Sequence, residues 1–128
     1  MTGIRIPDTG AFNLDAADGA AFNGEVGRGI AAVVLGVIAR QPGVKTICDL
    51  GCGNGYLAGA LGKRGFAVLG IDASDTYLDF ARQRNSSERV SFMKGLISLE
   101  LAAQLRRTQP PFDLVVSSDV IEHIYDPL

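Results

Sequence analysis

Short apolar segments alternate with helical patterns along most of this chain, and this alternation restricts the fold more than any other feature of the sequence. Strands that alternate with helices form parallel βαβ units, in which helices cover both faces of the sheet. We therefore predict an α/β fold with a doubly wound, Rossmann-like, mainly parallel sheet. The four predicted strands are Thr46–Leu50, Ala67–Ile71, Val90–Met93 and Asp113–Ser117.

Residues that typically begin or end helices bound each predicted helix. Pro42-Gly43 ends the first helix, and Pro110-Pro111 ends the last. Gly65 ends the second, and Ser74 is a suitable N-cap for the third. The predicted helices are Glu25–Arg40, Tyr56–Lys63, a helix from Ser74 to about Arg84, and Leu99–Arg107.

The first helix and the residues before it define the predicted domain boundary. Residues 1–22 show no periodicity, and we predict that they form an N-terminal arm or lid. Residues 23–128 fit one compact domain. The first helix has an apolar face that should pack on the sheet, made of Val26, Ile30, Val33, Val34, Val37 and Ile38.

Composition and charge exclude several classes of protein. The chain has 12 basic and 14 acidic residues, a net charge of −2 and no Lys/Arg-rich run, so we expect no bulk binding of nucleic acid. Its longest apolar run, residues 30–39, is too short to span a bilayer, and its N-terminus lacks the basic region of a signal peptide. Cys48 and Cys52 are predicted to be buried and reduced. These features predict a cytoplasmic protein without a membrane span.

The connections between the strands predict where a ligand binds. In a doubly wound sheet, strand four returns beside strand one, which places the loops after these two strands side by side. Ligands bind at this topological switch point, at the carboxyl ends of the strands. The run Leu114-Val115-Val116 is apolar without alternation, which predicts that strand four is buried on both faces.

A glycine-rich loop, Asp49-Leu50-Gly51-Cys52-Gly53-Asn54-Gly55, lies between the first strand and the second helix. Gly51 allows a turn that a Cβ atom would penalise, and Gly53 and Gly55 allow a ligand to approach the backbone. A dinucleotide site is one interpretation, but its fingerprint has a third glycine where this chain has Tyr56. A pyrophosphate needs free N–H groups. S-adenosylmethionine is the other interpretation: it has no phosphate, and its ammonium and sulfonium groups prefer backbone carbonyls and acidic side chains.

Two motifs carry a resemblance to a known superfamily. Residues 44–82, with the loop above and the strand end Gly70-Ile71-Asp72-Ala73-Ser74, resemble class I S-adenosylmethionine-dependent methyltransferases. The segment from Phe112 to Ile124 resembles the fourth-strand motif of the same superfamily. The resemblance extends over about residues 44–126, and it is nearest to the branch that contains ubiquinone-biosynthesis-type O-methyltransferases.

The resemblance implies roles for particular residues in holding S-adenosylmethionine. Gly51 and Gly53 match the backbone that contacts the methionine part, and Asp49 matches the acid that reaches its amino group. Asp72 matches the carboxylate that accepts both ribose hydroxyls, as a carboxylate is able to do. The implied cofactor-binding residues are Asp49, Gly51, Cys52, Gly53, Gly55, Asp72, Ala73, Gly95, Leu96 and Ser117.

The chain departs from the family pattern after the third strand. Many members carry Gly-Asp there, and the Asp meets the adenine amino group, whereas this chain has Gly95-Leu96. Leu96 could pack on the adenine ring. The hydrogen bond to the base would then come from a backbone group, from Ser98, or not be made.

Asp119, Glu122 and His123 form a second polar cluster, after the fourth strand. They are our candidate catalytic residues, and on a helical turn they would share one side. Three interpretations stay open: His123 is a general base for the acceptor, the three residues bind a divalent cation, or they only tie the loop to neighbouring backbone. We expect no covalent nucleophile, because the sulfonium is already an activated methyl donor.

We predict an S-adenosylmethionine-dependent methyltransferase that acts on a small-molecule acceptor by in-line transfer. The alternatives are a non-catalytic cofactor-binding module or truncated fragment, and an NAD-dependent oxidoreductase. The resemblance implies three further strands, so we expect these 128 residues to be the N-terminal four strands of a seven-stranded fold, incomplete at the C-terminus. Strand four would then be an exposed apolar edge through which the chain self-associates.

Overall fold

The computed structural model describes residues 29–118, and these form the predicted α/β sheet. Every strand, and each helix after the first, agrees with its predicted range to within one residue. The arm predicted for residues 1–22 lies outside the described residues. The strands are β1 (Thr46–Leu50), β2 (Ala67–Asp72), β3 (Val90–Lys94) and β4 (Leu114–Ser117), and the helices are α1 (residues 29–39), α2 (Tyr56–Lys63), α3 (Asp75–Asn85) and α4 (Leu99–Thr108).

The four strands are parallel and lie in the order β3-β2-β1-β4. Leu50 at the end of β1 is in register with Ile71 on one side and with Ser117 on the other. The carboxyl ends of the strands therefore lie at one edge, and the predicted switch point between β1 and β4 is confirmed.

Successive residues of β1 point to opposite faces of the sheet, and each face has its own core. Ile47 packs on the side of α1, α2 and α3, with Leu61 and Leu78 among its partners. Cys48 packs on the other side with Leu101 of α4. Helices therefore cover both faces, as the alternation of apolar segments predicts. No helix within residues 29–118 is long and apolar enough to cross a membrane.

Two predictions about burial are wrong. Val33 and Val37 of α1 are 68% and 43% exposed, although we expected both to face the sheet. At about 100° per residue, they lie away from the stripe through Ala31 and Val34 that contacts the core. Val115 of β4 is 55% exposed, because β4 is the edge strand of the described sheet and has a neighbouring strand on one side only.

Two serines cap helices at the edge of the sheet where the strands end. The Ser74 hydroxyl accepts a hydrogen bond from the Tyr77 backbone N–H at 3.3 Å, which confirms the predicted N-cap of α3. The Ser98 hydroxyl caps α4 in the same way, accepting from the Leu101 N–H at 3.1 Å. Both caps hold the loop after a strand close to the sheet.

Candidate functional site

The loops after β1, β2 and β3 converge at the carboxyl edge of the sheet. The Gly51 and Cys52 N–H groups both donate to the Ile71 carbonyl, at 2.7 and 2.9 Å, so the glycine loop folds back over the end of β2. The Gly95 N–H donates to the Asp72 carbonyl at 3.0 Å, which ties the end of β3 to the same place. The predicted cofactor-binding residues of these three loops therefore lie together.

The glycines of the loop are needed for different structural reasons. Gly51, Gly53 and Gly55 all have positive φ angles, of 73°, 56° and 81°. A Cβ atom on Gly55 would lie 2.6 Å from the Phe92 ring and 2.9 Å from the Ala81 methyl, so this glycine is required by core packing. A Cβ atom on Gly53 would meet nothing within 4 Å. Gly53 therefore borders the open space of the site, whereas the space beside Gly55 is filled by protein.

Most amide groups of the loop are already engaged within the protein. Besides the bonds to Ile71, the Gly53 N–H donates to Asp72 Oδ2 at 2.9 Å and the Gly55 N–H donates to the Cys52 carbonyl at 3.0 Å. At the start of α2, the Tyr56 N–H donates to Asn54 Oδ1 at 3.1 Å. A pyrophosphate is bound by free N–H groups at this position of a dinucleotide fold. The loop geometry disfavours such a ligand.

Asp49 is buried beneath the loop with an unsatisfied oxygen. Its side chain is 1% exposed, and Oδ1 has no hydrogen-bond partner among the described residues. Burial, and secondarily the negative charge of Asp72, raises the pKa of Asp49 from 3.8 to about 7. A buried polar atom without a partner is unusual in a folded protein. Here it lies under the glycine loop, where a positively charged or hydrogen-bond-donating ligand group would satisfy it.

Asp72 is half-buried at the end of β2, and its carboxylate organises the site edge. Oδ2 accepts from the Gly53 N–H and Oδ1 accepts from the Ser74 N–H, each at 2.9 Å. Each carboxylate oxygen is able to accept a further hydrogen bond. Asp72 also influences Tyr77 of α3: burial, and then the negative charge of Asp72, raise the pKa of the Tyr77 phenol. Ala73, the next predicted site residue, is exposed.

The loop after β3 presents apolar side chains beside the ends of the strands. Leu96 is 74% exposed and Leu99 is 90% exposed. Sequence reasoning missed Leu99, although two leucines around a capping serine are a detectable signal. The Ser98 hydroxyl donates to the Leu96 carbonyl in addition to capping α4, so this side chain is committed to the loop. An open cleft of about 530 Å³ is lined by Gly95, Leu96, Ser98, Leu99, Glu100, Leu101 and Gln104.

The cysteines are free and buried, as predicted. Burial, and then the neighbouring charge of Asp49, raises the pKa of Cys48 to about 11. Burial and the charges of Asp49 and Asp72 raise the pKa of Cys52 further. Neither thiol forms a thiolate near neutral pH, which agrees with our expectation that Cys52 is not a nucleophile.

The fourth-strand motif is only partly described. Ser117 is exposed at the end of β4, in register with Leu50. Asp119, Glu122 and His123 lie outside the described residues, so the three interpretations of this cluster stay predictions. Within residues 29–118, no group of His, Cys, Asp and Glu side chains is arranged to hold a metal ion.

Comparison with known proteins agrees with this geometry. The profile of a methyltransferase domain family matches residues 47–128. A ubiquinone biosynthesis O-methyltransferase of Hydrogenovibrio crunogenus is 37% identical over 83 residues, which is 65% of this chain and 34% of that protein. The chain therefore spans about a third of the length of this relative.

Solved structures show the same fold. A TehB-like SAM-dependent methyltransferase from Corynebacterium glutamicum is 28% identical, with a TM-score of 0.56 over 71% of this chain and 46% of that one. Magnesium protoporphyrin IX methyltransferase from Synechocystis, solved with bound SAM, has a TM-score of 0.60 at 23% identity over 87% of this chain and 52% of that one. The chain thus belongs to the methyltransferase domain family, within the class I S-adenosylmethionine-dependent methyltransferase superfamily that its sequence resembles.

Proposed function

We propose that this chain binds S-adenosylmethionine and that the whole protein transfers its methyl group to a small-molecule oxygen, nitrogen or carbon. The observation that carries the proposal is the unsatisfied, buried Asp49 carboxyl under a glycine loop most of whose amides are engaged elsewhere. Such a site accepts a cationic ligand and offers little to a phosphate. Membership of the methyltransferase domain family supports the same reaction.

The residues at the strand ends fit the parts of this cofactor. Asp49 would accept from the amino group, and the free acceptor positions of Asp72 would take the ribose hydroxyls. Gly53 would lie against the methionine part, where its missing side chain leaves space. Leu96 would pack on the adenine. Because Ser98 already caps α4, its hydroxyl is a poor candidate for the hydrogen bond to the base.

The cofactor supplies an activated methyl group on its sulfonium. The protein residues therefore bind and orient the two reactants, which accounts for most of the acceleration in a displacement of this kind. His123 as a general base and the divalent cation at Asp119, Glu122 and His123 remain hypotheses. Substituting His123→Ala and adding a chelator to the full-length enzyme test them separately, because only the metal hypothesis predicts recovery with added Mg²⁺ or Zn²⁺.

Calorimetric titration tests the cofactor assignment. We expect S-adenosylhomocysteine to bind and NAD⁺ not to bind. Asp72→Ala should weaken binding by on the order of 1–3 kcal/mol, because ribose hydroxyls would lose their acceptor in a desolvated site. As a control, Asp79→Ala removes an exposed acid of α3 that lies outside the proposed site. Unchanged affinity in Asp72→Ala would contradict the ribose assignment, and binding of NAD⁺ alone would favour the oxidoreductase alternative.

We also propose a cytoplasmic location and self-association through the edge strand. The reduced cysteines support the first, because disulfides form mainly in oxidising compartments. The exposed Val115 of β4 supports the second.

A further inference from the structure

The fold does not by itself satisfy the Asp49 carboxyl group. The side chain is 1% exposed, and Oδ1 receives no hydrogen bond from the described residues. An ionised carboxylate in such a place is expensive unless a cation or several donors face it. The surroundings of Asp49 therefore determine whether its carboxyl group is protonated or ionised before a ligand binds.

Nothing in the described part of the chain compensates a negative charge at this position. The sheet neighbours of Asp49 in register are Gly70 of β2 and Val116 of β4, which carry no charge. The ionisable groups coupled to Asp49 are Asp72, Cys48 and Cys52. The negative charge of Asp72 opposes ionisation of Asp49, and the two thiols, which are uncharged near neutral pH, supply no positive charge to offset it. No Lys or Arg within residues 29–118 is among the groups that shift its pKa, which burial and then Asp72 raise to about 7.

We propose that Asp49 carries a proton in the unliganded protein and releases it to solvent when a cationic ligand group binds beside it. This inference rests on the proposed function, in which the cation is the ammonium group of the cofactor or its product. The carboxyl O–H bond breaks, the proton leaves to the buffer, and the carboxylate accepts a hydrogen bond from the ligand. One positive charge replaces another, so the net charge of the buried site does not change.

The exchange makes Asp49 a specificity-determining residue. A ligand with the ammonium group displaces the proton, and its affinity therefore rises with pH until Asp49 is ionised in the free protein. A nucleoside without that group, such as 5′-methylthioadenosine, leaves the proton in place. Its affinity should not depend on pH between 6 and 8.

Isothermal titration of the full-length protein, in buffers with different ionisation enthalpies, tests the proposal. With S-adenosylhomocysteine we expect close to one proton released per ligand at pH 6. The dissociation constant should be about tenfold lower at pH 8 than at pH 6, so the ligand binds more tightly at the higher pH. Asp49→Asn should abolish both the proton release and the pH dependence. Asp79→Asn, an exposed acid of α3, should behave as the unsubstituted protein. With 5′-methylthioadenosine we expect neither effect.

Carbon-13 NMR of the Asp49 carboxyl gives a readout that needs no ligand and no variant. We expect its titration midpoint near pH 7 in the free protein. Equal affinity for S-adenosylhomocysteine at pH 6 and pH 8 without proton release would overturn the proposal, as would a pH dependence that persists in Asp49→Asn. If the carboxyl titrates near pH 7 but S-adenosylhomocysteine binds at no pH, the proposed function fails, although Asp49 is protonated as inferred. If Asp49→Asn does not fold, the comparison of the two nucleosides decides.

Discussion

Gly53 and Gly65 share an unusual backbone conformation but lie at opposite ends of α2. Gly53 has a φ of 56° and Gly65 a φ of 97°, and a Cβ atom on either would meet nothing within 4 Å. A side chain at either position thus meets similar backbone strain and has room in the unliganded protein. Only Gly53 borders the proposed cofactor site. The pair separates the effect of strain from the effect of occupying the site.

We expect Gly53→Val to abolish binding of S-adenosylhomocysteine while the fold is retained. The branched side chain would occupy the space that the methionine part needs. Gly65→Val should bind normally, and each variant should lose on the order of 1–2 kcal/mol of unfolding free energy from the left-handed conformation. Calorimetry and circular dichroism check this. Normal binding by a folded Gly53→Val protein would place the site elsewhere.

Asp49 also predicts how the stability of the unliganded protein changes with pH. Its pKa is raised from 3.8 to about 7 in the folded state, so between these values the folded state binds more protons than the unfolded state. The free energy of unfolding therefore falls as pH rises through this window and is level above it, a loss on the order of 4 kcal/mol. Asp113 has the opposite effect in acid, because hydrogen bonds from the Lys45 and Thr46 amides lower its pKa in the folded state. Its contribution to the free energy of unfolding is therefore lost as pH falls below the ordinary pKa of an aspartate.

Asp49→Asn should remove the fall in stability between pH 4 and pH 7 and make the unliganded protein more stable than its parent at pH 8. The amide is uncharged at every pH and keeps the size of the side chain. Urea denaturation at several pH values gives the comparison. A parent protein whose stability is level across this range would show that Asp49 is ionised in the folded state, contrary to its burial.

At the scale of helices, glycines have opposite effects depending on what they face. Gly36 of α1 is exposed, and a Cβ atom there would meet nothing within 4 Å. Gly62 of α2 faces Val90 of β3 so closely that a Cβ atom would overlap its side chain. The glycine of α1 costs helix stability without a packing benefit, whereas the glycine of α2 allows helix and sheet to approach.

We therefore expect Gly36→Ala to stabilise the protein by about 0.5–1 kcal/mol and Gly62→Ala to destabilise it by about 1–3 kcal/mol. Thermal unfolding of both variants measures the difference. Equal effects of the same sign would show that helix propensity alone decides, and that α2 does not pack on β3 as described.

The difference between local sequence signals and tertiary packing decides which features of the fold could be predicted from the sequence. Strands β1 to β4 and helices α2 to α4 have strong local signals, such as the Ser74 cap and the apolar runs, and their bounds were predictable. The burial of Val33, Val37 and Val115 was not, because it depends on which elements pack beside them. The role of Asp72 as an acceptor for the loop amides was missed for the same reason, since the Gly53 N–H reaches it only in the folded chain.

At the scale of the whole molecule, the two edge strands of the described sheet differ. β3 carries exposed Ser91 and Lys94, and Lys94 forms an ion pair with Asp75 at 2.9 Å. β4 instead exposes Val115 and has no charged residue along its length. Charged residues on an edge strand resist pairing with another chain, whereas exposed apolar residues on an edge strand invite it. The edges therefore predict that any self-association of the 128-residue chain uses β4.

Val115→Lys should shift the 128-residue chain toward the monomer, and Ser91→Lys on the opposite edge should not. A lysine on β4 places a charge in the middle of any intermolecular sheet and beside the apolar face that Val115 exposes. Val115 contributes little to the core, so the variant should fold with a similar unfolding free energy. Sedimentation velocity over a range of protein concentrations measures the association. A chain that is monomeric throughout, or whose association responds to Ser91→Lys and not to Val115→Lys, would rule out β4 as the contact.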